Sequence, residues 1–229
     1  ILVSGLASAA GSGTDFFKNF SGVGMTKRYF MKKFLSSFLL LTTTLFSLNL
    51  FWFNPVLADT ARAVSYLQTQ PLGDWSVMGL KAAGQSVDAS QLPAISTSAS
   101  DVTGYLAVEK RILALTAAGV DPTTGGQNLV AALKGWVRGG QIGDDQSLND
   151  DTWGILALRS VNTPVDDQAI SGSKQFLLQN QNADGGWSFG IGGTSDTNST
   201  AITIIALIEA GVPAADQRVA NALSYLRAT

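Results

Sequence analysis

The chain has 229 residues, of which 45% are hydrophobic and only 14% are charged, enough for a domain with an extensive core. It contains no cysteine and no histidine, which excludes disulfides, thiolate or imidazole metal ligands, Ser-His and Cys-His nucleophiles and a histidine general base. Residues 59–229 carry 10 basic against 16 acidic side chains, hence a net charge of −6. They contain no basic cluster that could neutralise phosphates, so nucleic-acid binding is not predicted.

The first 58 residues are predicted to lie outside the folded domain. Residues 1–24 precede the first methionine and are rich in Gly and Ser, so they are assigned to an unstructured leader or upstream translated sequence. From Met25 a basic segment leads into an uncharged apolar run and then Val56 and Ala58, the two positions that signal peptidase inspects. Residues 25–58 therefore predict a secretory signal peptide, cleaved after Ala58. The alternative is an uncleaved membrane anchor, because the apolar run at 34–53 spans 20 residues.

Two kinds of helix alternate along residues 59–229. The first kind is strongly apolar and stops at residues 84, 119, 161 and 211, three of which are glycines suited to a helix C-terminus. The second kind has one apolar face and a polar back, as in 129–136, 170–177 and 219–226. Residues 201–208 are apolar nearly all round, so we expect protein on every side of that helix. Alternating inner and outer helices, without convincing strands, predict an all-α fold of helical hairpin repeats.

The segment Lys174-x-Phe176-Leu177-x3-Gln181-x3-Gly185-x-Trp187 resembles the QW motif of the terpenoid cyclase and protein prenyltransferase superfamily. A shortened copy places Gln70, Gly73 and Trp75 at the matching positions, and a degenerate copy around Gln141 lacks the final Trp. The resemblance covers residues 59–229 and implies an α/α-toroid, in which inner parallel helices are ringed by outer ones. The sequence of residues 195–211 is most similar to bacterial exported proteins built of prenyltransferase and squalene-oxidase repeats. Those proteins resemble squalene cyclases and the helical domain of the transcobalamins.

The residues of the QW motif have a structural interpretation. A glutamine at the end of an outer helix can bond exposed backbone groups of the next turn, glycine permits that tight turn, and tryptophan packs between hairpins. Asn180-x-Asn182-x-Asp184 imitates the start of a calcium loop, but Ile191 stands at its twelfth position, so we interpret it as a turn and predict no metal site. A further QW copy begun at Ala222 is not finished, so we expect an incomplete ring in a fragment of a longer protein.

One polar cluster resembles a catalytic motif of the superfamily. Leu148 to Thr152 matches the Asp-x-Asp-Asp-Thr motif of class II terpene cyclases, in which the middle Asp protonates an alkene, except that Leu148 replaces the first carboxylate. The next repeat retains only that first carboxylate, as Asp196. The alternative is helix capping, since carboxylates satisfy free N–H groups where inner helices begin. A third interpretation places these helix starts on one rim of a toroid as a polar binding surface made by Asn149, Asp150, Asp151, Trp153, Asp196, Asn198 and Ser199.

We therefore predict an exported binding or structural module without catalytic activity, at the cell surface or outside the cell. Its expected ligand is a small hydrophobic or cofactor-like molecule, or a glycan, and it needs no cofactor of its own. Membrane contact is expected only through the signal peptide. The alternative is a terpene cyclase-like enzyme of the squalene-hopene type that uses Asp150 or Asp151 as its general acid. The zinc prenyltransferase branch is excluded, because it needs Cys and His ligands.

Overall fold

A computed structural model describes residues 59–98 and 102–229; the predicted leader and signal peptide lie outside the described residues. The described chain is mainly helical, which confirms the all-α prediction. No helix within the described ranges is long and apolar enough to cross a membrane. In chain order the elements are α1 (59–69), α2 (Asp74–Ala82), a short 3-10 helix (Ala89–Gln91), α3 (Val102–Ala118), α4 (Leu129–Lys134), β1 (Val137–Arg138), β2 (Gln141–Ile142), α5 (Leu148–Ser160), α6 (Gln168–Gln179), α7 (Thr197–Glu209) and α8 (Gln217–Ala228).

The helices pack in two series. The apolar helices contact one another in sequence, α2 against α3, α3 against α5, and α5 against α7. The amphipathic helices cover them: α4 packs on α3, α6 packs on both α5 and α7, and α8 packs on α7. The short hairpin of β1 and β2, in antiparallel register with Val137 opposite Ile142, lies against α5 and α6. Helix α5 therefore packs between α3 and α7 and against α6 and the hairpin.

The ends of the apolar helices explain how the chain turns back. Gly84, Gly119 and Gly211 have φ values of 75°, 79° and 85°, the left-handed conformation that follows a helix C-terminus. After α5 the same conformation is adopted by Asn162, with φ of 59°. Asparagine tolerates this region better than other non-glycine residues, so the fourth helix ends in the same way without a glycine.

The core runs through the middle of the two series, but α7 is not enclosed as expected. Ala206, Leu207 and Ala210 are buried, whereas Ile205 and Ile208 remain 52% and 38% exposed. In the described residues α7 contacts α5, α6 and α8, and this leaves one apolar face of the helix open. The all-round apolar pattern thus marks an inner helix that is covered on three sides.

Candidate functional site

Asp150 lies in the first turn of α5, fully buried, and bonds to the loop that precedes its helix. Its Oδ1 accepts a 3.0 Å hydrogen bond from the Ser147 hydroxyl, whose oxygen in turn caps the Asp150 backbone N–H at 3.4 Å. Its Oδ2 accepts the backbone N–H of Asp144 at 3.1 Å. Gly143 allows this approach: it has φ of 79°, and a Cβ added there would lie 2.5 Å from Asp150 Oδ2. The carboxyl therefore fastens the loop onto the helix.

Asp151 is also fully buried and bonds to a different element. Its Oδ1 accepts the backbone N–H of Ile142 in β2 at 3.0 Å, and the hydroxyl of Ser173, on α6, lies 3.2 Å from the same N–H. Oδ2 of Asp151 is buried and has no hydrogen-bond partner among the described residues. Asp151 therefore joins α5 to the hairpin and α6 through Oδ1 alone.

A third buried carboxyl, which the sequence analysis did not single out, completes the cluster. Glu109 lies on α3 with no exposed surface, and neither of its carboxyl oxygens has a partner within residues 59–98 and 102–229. It faces α5 at Gly154, where an added Cβ would lie 3.4 Å from Glu109 Oε1. The signal was present in the sequence: a lone acid next to Val108 and three residues before Ile112, on the apolar face of an inner helix. We call Glu109, Asp150 and Asp151 the carboxyl cluster.

Burial shifts the proton affinity of all three carboxyl groups upward. It raises the pKa of Asp150 to about 6 and that of Asp151 to about 8, against the hydrogen bonds that each group accepts. Burial, followed by the charges of Asp150 and Asp151, raises the pKa of Glu109 well above its usual value. At neutral pH the cluster therefore holds protons, and Asp151 is a neutral carboxylic acid.

The start of α7 is capped in the ordinary way. Asp196 accepts the Ser199 backbone N–H at 2.8 Å. Burial raises the pKa of Asp196, but hydrogen bonds from Ser199 and Asn198 outweigh burial and hold that pKa below its usual value. Asn198 itself is exposed and Ser199 is half-buried. The Thr200 hydroxyl accepts the backbone N–H of Trp187 at 2.9 Å. The predicted binding residues of α7 thus lie at the helix start, and the Asp196 carboxyl caps the helix.

The QW segment before α7 forms a joint between helices. Gln181 donates through Nε2 to the carbonyl of Gly185 at 2.7 Å, across the turn, and to that of Arg218 in α8 at 2.8 Å. Trp187 is fully buried and its Nε1 donates to the Leu177 carbonyl of α6 at 2.8 Å. In the degenerate copy, by contrast, Gln141 is buried in β2, and within the described part of the chain its side-chain oxygen and nitrogen have no partner.

The shortened QW copy contributes to an exposed aromatic surface. Trp75, at the start of α2, is 54% exposed and meets Trp153 of α5 edge to face, with ring centroids 5.2 Å apart. Trp153 Nε1 donates to Asn149 Oδ1 at 3.1 Å. The carbonyl of Phe189, whose side chain is 53% exposed, accepts the backbone N–H groups of Leu148 and Asn149. We call Trp75, Asn149, Trp153 and Phe189 the aromatic rim.

In the other shortened-copy positions, the Gln70 side chain donates to the neighbouring Thr69 hydroxyl, and Gly73 is the N-cap residue of α2. A cavity of about 800 Å³ lies elsewhere, between the 3-10 helix, α3 and the loop after α3, and no residue of the cluster or the rim lines it. Residues 59–98 and 102–229 contain no group of acidic side chains placed to hold a metal ion.

No family model, no curated protein and no solved structure matches the chain.

Proposed function

We propose that the protein is an exported binding or structural module of the prenyltransferase and squalene-oxidase repeat type, without catalytic activity, whose hairpins follow an α/α-toroid. The order of helix contacts supports the toroid. The apolar helices α2, α3, α5 and α7 pack one against the next, and the amphipathic helices α4, α6 and α8 pack on them as a second series. Export rests on the signal-peptide pattern of residues 25–58.

The observation that carries binding over catalysis is the contrast between the carboxyl cluster and the aromatic rim. All three carboxyls of the cluster have no exposed surface, and the hydrogen bonds of Asp150 and Asp151 go to their own loop, cap and hairpin. A proton donor must come within hydrogen-bond reach of the group that it protonates. Trp75 and Phe189 of the aromatic rim, by contrast, are more than half exposed and open to a ligand.

The rim fits a ligand with an apolar face. Trp75 and Phe189 are more than half exposed, Trp75 meets Trp153 edge to face, and the Asn149 amide oxygen accepts the Trp153 Nε1–H. Exposed aromatic rings bind apolar faces, which suits either the ring face of a glycan or a small hydrophobic or cofactor-like molecule. We include Asp196, Asn198 and Ser199, at the start of α7, in the proposed polar side of the binding surface.

The rim is tested by titrating the purified protein with soluble oligosaccharides and with dispersed squalene, following tryptophan fluorescence. Binding to the wild type should be saturable and should weaken tenfold or more in Trp75→Ala and in Trp153→Ala. Leu223→Ala, which removes a 37% exposed side chain on α8, serves as the matched control and should bind as the wild type does. Saturable binding that both tryptophan variants retain would place the ligand elsewhere and defeat the assignment.

A cyclase-like enzyme is the second candidate, and one observation favours it. Burial raises the pKa of Asp150 to about 6 and of Asp151 to about 8, so a carboxylic acid persists near neutral pH, as an acid catalyst requires. The missing first carboxylate, replaced by the buried Leu148, counts against it.

A further inference from the structure

Glu109 is a buried acid without a hydrogen bond in the interface between α3 and α5. It has no exposed surface, and neither of its carboxyl oxygens has a partner within residues 59–98 and 102–229. A glutamate this deeply buried is normally paired, because an uncompensated charge is strongly disfavoured in a protein interior. The position therefore favours the neutral acid over the carboxylate.

The groups that Glu109 faces on α5 are themselves acids. A Cβ added at Gly154 would lie 3.4 Å from Glu109 Oε1, and Gly154 comes one helical turn after Asp150 and Asp151. Burial raises the pKa of Glu109 first, and the charges of Asp150 and Asp151 raise it further. Ionisation of Glu109 thus places like charges on the two sides of one helix contact, where they repel.

The other charged groups on α3 and on the elements packed against it do not offset this repulsion. Lys110, next to Glu109, lowers the pKa of Glu109, but it is the smallest of the four influences. Arg111 is bonded to Asp74 at the start of α2, and Lys81 lies in the last turn of that helix. The rest are bonded to other groups: Lys134 of α4 to Asp167, and Asp88, before the 3-10 helix, to Ser90 and Gln91.

The hydrogen bonds decide which helices stay together when this contact loosens. The ion pair of Arg111 Nε with Asp74 Oδ1, at 2.5 Å, ties α2 to α3. On the other side, Asp150 fastens α5 to its loop, and Asp151 fastens it to the hairpin. The two groups of helices meet where α3 packs on α5 and where Trp75 of α2 touches Trp153 of α5.

We propose that the contact between α3 and α5 is a pH-sensitive joint, closed when Glu109 is protonated and open when it is ionised. Opening carries α2 and α3 away from α5, while α5 to α8 keep their packing. It also separates Trp75 from Trp153 and so divides the aromatic rim. The joint goes beyond binding at the rim and stands whether or not a ligand binds there.

The direction of the response follows from proton linkage. The pKa values of the cluster are raised in the closed form, so the closed form holds protons that the open form releases. The closed form is therefore favoured at low pH and is lost as the pH rises.

The joint is tested by measuring the distance between two spin labels with double electron–electron resonance at pH 5 and pH 9. The chain has no cysteine, so Gln70→Cys and Gln146→Cys, at exposed positions before α2 and α5, take the labels specifically. A single short distance is expected at pH 5, and a longer population should grow at pH 9 and disappear on return to pH 5. A second pair, Gln146→Cys with Gln217→Cys on α8, lies within α5 to α8 and should keep its distance.

Glu109→Gln isolates the charge, because it keeps the shape of the side chain but cannot ionise. In this variant the first pair should stay at the short distance at both pH values. Glu209→Gln, at an exposed glutamate of α7, is the matched control and should open as the wild type does. If Glu109→Gln does not fold, Asp151→Asn replaces it: this variant removes one facing acid and should reduce the longer population severalfold.

Three results would each overturn the joint, whatever the rim titration gives. The first is a wild-type distance for the first pair that is the same at pH 5 and pH 9. The second is a longer population that persists undiminished in the folded Glu109→Gln or Asp151→Asn variant. The third is a change in the second pair, or a loss of helical circular dichroism, at pH 9, because the whole domain would then have loosened.

Discussion

Raising the pH from 5 to 8 should destabilise this protein, because the carboxyl cluster must then ionise inside the fold. Asp151 has its pKa raised from 3.8 to about 8 by burial, so between these values the folded state binds a proton that the unfolded state releases. The stability cost begins near pH 4, grows as the pH rises, and is complete above pH 8. Asp150, with a pKa of about 6, and Glu109, whose pKa burial also raises, add to it in the same direction.

The size of this effect follows from the linkage relation. At about 1.4 kcal/mol per pH unit, with the slope falling off as the pH approaches 8, Asp151 alone lowers the free energy of unfolding by roughly 3 to 4 kcal/mol between pH 5 and 8. Domains are typically stable by about 5–15 kcal/mol, so this is a large share. Urea unfolding followed by far-ultraviolet circular dichroism at four or five pH values measures it.

Asp151→Asn isolates the contribution of one carboxyl. The amide oxygen still accepts the Ile142 N–H, but the side chain cannot ionise, so the slope of stability against pH should fall by most of the Asp151 contribution. Asp166→Asn, at an exposed aspartate, is the matched control and should keep the wild-type slope. Wild-type stability that rises between pH 5 and 8, or a slope unchanged in Asp151→Asn, would show that the cluster is not buried as described.

Three further outcomes are expected. Gly172→Ala should lower the free energy of unfolding by at least about 3 kcal/mol, because a Cβ there would lie 1.6 Å from the Gly140 carbonyl oxygen of the hairpin. Gly73→Ala, where a Cβ would meet nothing closer than 4.0 Å, should lower it by about 1 kcal/mol or less. Urea unfolding compares the two variants. Trp187→Ala should cost about 3–5 kcal/mol and Trp75→Ala much less, because only the first is fully buried; equal losses would contradict the assignment of core and rim. N-terminal sequencing of the exported protein should begin at Asp59, and a start at Met25 would refute cleavage.

The helical character of the fold could be predicted because it rests on local patterns. Apolar periodicity separated the two helix series, and glycines at 84, 119 and 211 marked three of the four apolar helix ends. The fourth end depends on Asn162 in a left-handed conformation, which sequence periodicity does not reveal. The enclosure of α7 was overestimated, since the pattern of a helix does not count how many neighbours are present to cover it.

The candidate site could be predicted in position but not in geometry. The sequence placed Asp150 and Asp151 at a helix start, where capping and catalysis are both plausible. It did not show that their oxygens reach the loop and the hairpin, because that depends on Gly143 and on the packing of β2 against α6. Glu109 was missed because it lies on another helix, about 40 residues away along the chain, and only tertiary packing joins the three groups.

Asp150 and Asp151 join the start of α5 to its loop and hairpin, and we propose that neither acts as a catalytic acid. Incubating the protein with squalene and analysing the extract by gas chromatography and mass spectrometry checks this, and the wild type should give no cyclised product at any pH between 5 and 8. A cyclised product that Asp150→Asn abolishes, in a variant that circular dichroism shows to be folded, would contradict it and establish the cyclase-like alternative.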